Sequence, residues 1–185
     1  MKPVDRSELL DHVTYSEQRE ATRPEALRAK AARRVMLGDG TITVLFENRD
    51  TVRYQVQEMM RTEQIVKEAD IEHELATYNE LLGGPGQLGC TLLIGIDDEA
   101  ERAEKLRAWL ALPQHVYLER ADGTRVHATF DPRQVGDDRL SSVQYLKFDV
   151  GEAPVAIGID LPALTVHETL SAEVGQALAD DMADD

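Results

Sequence analysis

Residues Leu45–Glu68, LFENRDTVRYQVQEMMRTEQIVKE, decide the fold. Where they begin, Ile42, Val44 and Phe46 alternate with Thr41, Thr43 and Leu45 in β-branched-rich sequence, which reads as a strand with at least one buried face. From Val52 the period lengthens: Val52, Val56, Met59, Met60 and Val66 share one side of a helix expected to run to Lys67. The corner between them, Glu47-Asn48-Arg49-Asp50, is polar, with Asn48 or Asp50 able to cap the helix and Arg49 able to fork onto a carboxylate.

This helix carries the side chains with the most chemistry. Glu63 falls in the middle of its apolar side, where a carboxylate has to be paired, protonated or open to a cavity. The opposite side repeats Tyr54, Glu58, Arg61 and Ile65 at helical spacing, as a surface ion pair or the rim of a groove. The candidate ligand- or partner-binding residues are therefore Glu47, Asn48, Arg49, Tyr54, Gln57, Glu58, Arg61 and Glu63, with no catalytic residue assigned.

N-terminal to this stretch, Asp5 and Thr14 are each followed three residues later by a glutamate, Glu8 and Glu17, suggesting two short capped helices. Pro24 is expected to begin a third, extending to about Arg34, with Leu27, Ala31 and Val35 at helical spacing. C-terminal to it, a helix is expected near Ile71–Leu82, and the apolar run Cys90–Ile96 reads as an interior strand. Asp97 or Asp98 caps a helix with an apolar stripe including Leu106 and Trp109. Ala121-Asp122-Gly123 marks a hairpin, and strands are expected near residues 146, 157 and 167 before a helix capped by Ser171. The fold class is α+β: N-terminal helices packed on a largely antiparallel sheet, in one structural domain with a helical arm (1–34), a body (35–179) and an acidic tail (180–185).

Composition narrows the function classes. The 185 residues hold 20 basic and 35 acidic side chains, a formal net charge of −15, which argues against nucleic acid and anionic lipid as partners. No apolar run approaches the roughly 18 residues of a membrane span, and the first residues lack the order of a signal peptide, so a cytoplasmic location is expected. The single cysteine, Cys90, sits in an apolar run and reads as an inert small hydrophobe. No phosphate loop, dinucleotide fingerprint, nucleophile elbow or zinc spacing occurs, and no cofactor or metal is assigned. Two weak cation motifs remain, Asp70 with His73, and Asp160 with His167 and Glu168.

At Arg33-Arg34-Val35-x-Leu37-Gly38, Leu45-Phe46-Glu47-Asn48-Arg49-x-Thr51-Val52 and Gln55-Val56-Gln57-Glu58-Met59-x-Arg61-x-Glu63, the chain resembles a bacterial family named only as domain of unknown function 3501. The resemblance continues through Glu74-Leu75-x-x-Tyr78-Asn79, Ser141-Ser142-Val143 and Gly158-x-Asp160-x-Pro162. It implies a cytosolic protein often encoded beside rubrerythrin-like proteins and iron–sulfur oxidoreductases. Relatives tend to have histidine and tyrosine where this chain has Leu161 and Leu164, and histidine where it has Gln144. The expected function is a non-catalytic accessory or binding protein in a redox or oxidative-stress context, with such a partner. The alternative is a small enzyme or ligand sensor whose pocket lies between the Glu47–Arg49 corner and the helix Val52–Lys67.

Overall fold

The strand Ile42–Glu47 (β2) ends where Asn48 turns the chain into the helix Arg49–Thr62 (α2). Asn48 accepts from the Thr51 amide at 3.0 Å, and the Thr51 hydroxyl accepts from the Asn48 amide at 3.0 Å, satisfying two helix-start donors reciprocally. The helix begins three residues earlier than the expected start at Val52 and ends five residues short of the expected Lys67. Glu63 is its C-cap and Gln64 takes a left-handed φ of 52°, so Glu63 and Val66 leave the helix and are exposed. The expected burial of Glu63 is thereby corrected.

The computed structural model describes residues 1–183. Its N-terminal part holds a 3-10 turn at Arg6–Glu8 and one long helix, His12–Ala31 (α1), in place of the two helices expected on either side of Pro24. Asp11, not Thr14, caps it, and Pro24 sits on an exposed face, where the hydrogen bond it omits falls on the water side. Val35 belongs to a strand, Arg34–Leu37 (β1), and not to a helical stripe. The helix Glu68–Asn79 (α3), the strand Leu88–Ile94 (β3), the helix Glu99–Ala108 (α4) and a short turn of helix Leu112–His115 (α5) follow. Strands Val116–Glu119 (β4), Arg125–His127 (β5), Val143–Phe148 (β6), Ala156–Leu161 (β7) and Leu164–Thr169 (β8) and the helix Ala172–Ala183 (α6) complete the described chain.

The antiparallel pairing expected from the sequence is present, divided between two four-stranded sheets in the orders β1-β2-β3-β6 and β5-β4-β7-β8. Alternation points Val44, Phe46, Leu92, Leu146 and Phe148 of the first sheet and Leu118, Ile157 and Ile159 of the second into a shared core. Leu106 and Trp109 of α4 and Val174 and Leu178 of α6 close it. Each such side chain contributes about 1.5–3 kcal/mol on burial. A second core joins Val4 and Leu9 to Val52, Val56 and Met60 of α2 and Ile71 and Leu75 of α3. Glu47, on the sheet face pointing away from the shared core, accepts from Thr51 of α2, which places the helical layer on that side.

A buried ion pair joins these layers. Arg33, between α1 and β1, donates to both carboxylate oxygens of Asp181 in α6 at 2.6 and 2.7 Å, and the Asn48 amide donates to the same carboxylate at 3.1 Å. The side chains of Arg33 and Asp181 are only 12% and 8% exposed. The expected acidic tail from residue 180 is therefore helix through Ala183, with Asp181 inside the molecule; Asp184 and Asp185 lie outside the described residues. Asp181→Ala strands a buried guanidinium and should lower the unfolding free energy by about 3–5 kcal/mol. Asp50→Ala, which breaks the half-exposed pair with Arg53, should cost less than about 1 kcal/mol; urea denaturation midpoints compare the two.

Candidate functional site

The corner residues are held by their neighbours. Glu47 is buried and accepts from the hydroxyls of Thr51 and Thr91 at 2.5 and 2.6 Å. Arg49 donates to both oxygens of Glu8 at 2.7 and 2.8 Å, and to the carbonyls of Lys2 and Pro3. Gln57 donates to the Leu10 carbonyl at 3.0 Å and accepts from the Leu10 amide at 2.7 Å. These bonds fasten the N-terminal segment onto α2.

Glu58 is the hub between α1 and α2. It accepts from Arg19 at 2.7 and 3.0 Å, from the Tyr15 hydroxyl at 2.8 Å and from Arg61 at 3.4 Å. The Arg19 guanidinium, opposed by desolvation and assisted by Tyr15 and Arg61, pulls the Glu58 carboxyl down to about 2. Tyr54 lies 4.9 Å below the Lys30 ammonium, whose pKa burial pushes below the ordinary lysine range. Tyr54 and Gln57 line a cleft of about 320 Å³ between α1 and α2; Arg49, Glu58 and Glu63 are not among its lining residues. The structure thus joins Glu47 and Asn48 through the Thr51 hydroxyl and pairs Glu58 with Arg61, and leaves Glu63 apart on the surface.

A larger concavity lies elsewhere. A groove of about 800 Å³ runs between α3, the segment 129–134 and the outer side of β6, with Tyr78, Leu81, Phe130 and Tyr145 as its apolar surface. Glu74 and Glu80 stand on its α3 side and Lys147 and the Asp131–Arg133 pair on the other. The volume is in the range of ligand and peptide clefts. Glu74 and Tyr78 of the groove belong to a stretch singled out by the family resemblance, but none of the groove residues was a candidate for binding in the sequence.

The outward face of the second sheet carries a further group. Asp160 on β7 holds His115 Nδ1 at 2.7 Å through one oxygen and His127 Nε2 at 2.8 Å through the other. Glu119 meets Arg125 at 3.2 Å and His167 at 3.5 Å, while Arg125 stacks 4.3 Å over Tyr117. The Tyr117 phenol lies across Gly158, where a Cβ would collide with it. Each imidazole keeps one nitrogen for proton exchange or a ligand, but among the described residues no group of three or more His, Cys, Asp and Glu side chains is arranged to hold a metal ion. Alternation puts Glu168 on the face opposite His167, so the expected Asp160, His167 and Glu168 set does not form. Asp70 and His73 are exposed on α3. The signal overlooked was the period of two: Tyr117 and Glu119 share one face of β4, with His115 immediately before the strand, and Arg125 and His127 share the same face of its hairpin partner. Cys90 is buried, and desolvation raises its thiol pKa beyond a reactive range.

These features define an α+β protein of two antiparallel sheets with a helical layer, a groove and a histidine–carboxylate face. The family model described as "Protein of unknown function (DUF3501)" matches residues 3–182, and the chain belongs to that family, as the motifs from Arg33 to Asp160 imply. It is also similar to a crystal structure of a novel protein of unknown function from Burkholderia pseudomallei, with 28% identity and a TM-score of 0.89 over 98% of this chain and 100% of that one. Comparison with curated proteins finds no match. Gln144 and Leu161 are buried and Leu164 is half-buried against the shared core. No helix among the described residues is long and apolar enough to cross a membrane.

Glu58 sets an acid limit. Its folded pKa lies below the ordinary value of 4.5, so its stabilisation is complete above 4.5 and is lost as pH falls toward about 2. Glu58→Gln should cost about 1–3 kcal/mol at neutral pH and flatten stability against pH over that acid interval. Denaturant titrations of both proteins from pH 7 downward measure it; parallel curves would contradict the assignment.

Proposed function

We propose that this is a non-catalytic cytoplasmic accessory protein that binds a partner protein in a redox or oxidative-stress context, the partner being an iron–sulfur oxidoreductase or a rubrerythrin-like protein. The groove between α3 and β6 carries the reading: it pairs an apolar, aromatic surface with the carboxylates of Glu74 and Glu80 on its α3 side. That combination, on a chain of net charge −15, suits a basic protein surface. The commitment of Arg49, Gln57 and Glu58 to internal bonds favours binding over chemistry at the Glu47–Arg49 corner. The redox setting is what the family resemblance implies.

The test is direct binding of the purified chain to an iron–sulfur oxidoreductase and to a rubrerythrin-like protein from the same organism, by calorimetry at low and high salt. A micromolar complex is expected, weakened roughly tenfold by the double substitution Glu74→Lys and Glu80→Lys and by added salt. No complex with either partner at micromolar concentration in low salt would overturn the reading.

A further inference from the structure

The groove has an unusual boundary, set by how the edge strand β6 ends its hydrogen bonding. In the order β1-β2-β3-β6, strand β6 is the outermost of its sheet, and its residues Val143, Tyr145 and Lys147 turn their backbone groups away from β3. At Lys147 the neighbour is backbone: Thr129 and Lys147 exchange antiparallel amide-to-carbonyl bonds of 2.7 and 2.8 Å. A fifth strand therefore begins at Thr129. It does not continue, because the chain turns away into the 3-10 turn Pro132–Gln134. At the next position a side chain stands in for the missing strand: the Gln134 amide accepts from the Tyr145 N–H at 2.8 Å and donates to the Tyr145 carbonyl at 3.0 Å. At Val143 the N–H is met by the Ser141 hydroxyl at 3.2 Å.

A primary amide reproduces the donor and acceptor of one peptide unit, so Gln134 occupies the place of a strand residue without the rest of the strand. We infer that β6 is a docking edge for an extended segment of a partner protein, which displaces the Gln134 amide and pairs antiparallel with Tyr145 and Val143 in line with Thr129. The inference rests on the reading of the protein as a partner-binding module and names the mode of binding. Strand addition gives affinity through main-chain bonds and specificity through alternate side chains. Alternate side chains of the incoming segment fall beside Tyr78, Phe130 and the Tyr145 ring, which is 48% exposed, and so are apolar. Residues flanking them face Glu74 and Glu80 and are Lys or Arg. The occupant is thus an extended, apolar segment with basic flanks.

A phage-displayed library of random ten-residue peptides panned on the intact chain supplies the probe. Enriched peptides are expected to alternate apolar residues with Lys or Arg, and amide-proton NMR of the complex should show peptide backbone contacts to Val143 and Tyr145. Gln134→Ala unplugs the edge and should tighten binding by roughly fivefold. Tyr145→Ala keeps the backbone N–H and should weaken binding modestly. Tyr145→Pro removes that N–H at an edge position where proline is tolerated, and should weaken binding at least about tenfold further. Unchanged circular dichroism checks that each variant is folded. Failure to enrich any peptide, enriched peptides contacting other residues, or equal affinities for Tyr145→Ala and Tyr145→Pro would each overturn the inference. A natural partner that binds but is not competed by the peptides sinks strand addition while leaving the accessory role standing. Peptide binding without any natural complex does the reverse.

Discussion

The Arg33–Asp181 pair, with Asn48 as its third member, is the constraint on which the arrangement depends. Arg33 links α1 to β1, Asn48 turns β2 into α2, and Asp181 belongs to α6, so a single carboxylate fixes three parts of the chain at one point. Both charges are nearly withdrawn from water, where an ion pair contributes little to net stability against an apolar replacement but is very costly to break. Its value is then in geometry. It sets where the helical layer sits on the sandwich, and hence which face of the first sheet is left to bound the groove.

Much of this was legible in advance, and the reasons differ by element. The strands around Val44, Leu92, Leu146 and Ile157 alternate or run apolar because they line a shared core, and that pattern needs no tertiary knowledge. The cap at Asn48 was equally local. What escaped was non-local. Asp181 looks like part of an acidic terminus until Arg33, 148 residues away, gives it a reason to be buried. Glu63 looked misplaced only because its helix was extended past a left-handed Gln64. The division into two sheets was hidden because β-strand patterns specify faces, not partners. The groove and the Asp160 cluster were hidden for the same reason: both are assembled from strands and loops far apart in sequence.

One device recurs through the molecule. The side-chain amides of Asn79, Gln57 and Gln134 each grip both backbone groups of one extended residue, respectively Val4, Leu10 and Tyr145. The first two hold the N-terminal segment across α2 and α3, where it completes the second core and is backed by the Arg49–Glu8 pair. The third stands alone on a half-buried side chain beside the groove. The same bond pattern is therefore structural where apolar burial reinforces it and exchangeable where it does not.

The lone tryptophan gives the two cores separate optical identities. Trp109 is 6% exposed among the residues between the sheets, while the helical layer packs Tyr15 and Tyr78 and holds no indole. Indole emission in this protein therefore follows the sandwich alone. Loosening of the helices would leave that emission in place while changing far-ultraviolet ellipticity, so coincidence of the two signals reports whether the layers melt as one cooperative unit.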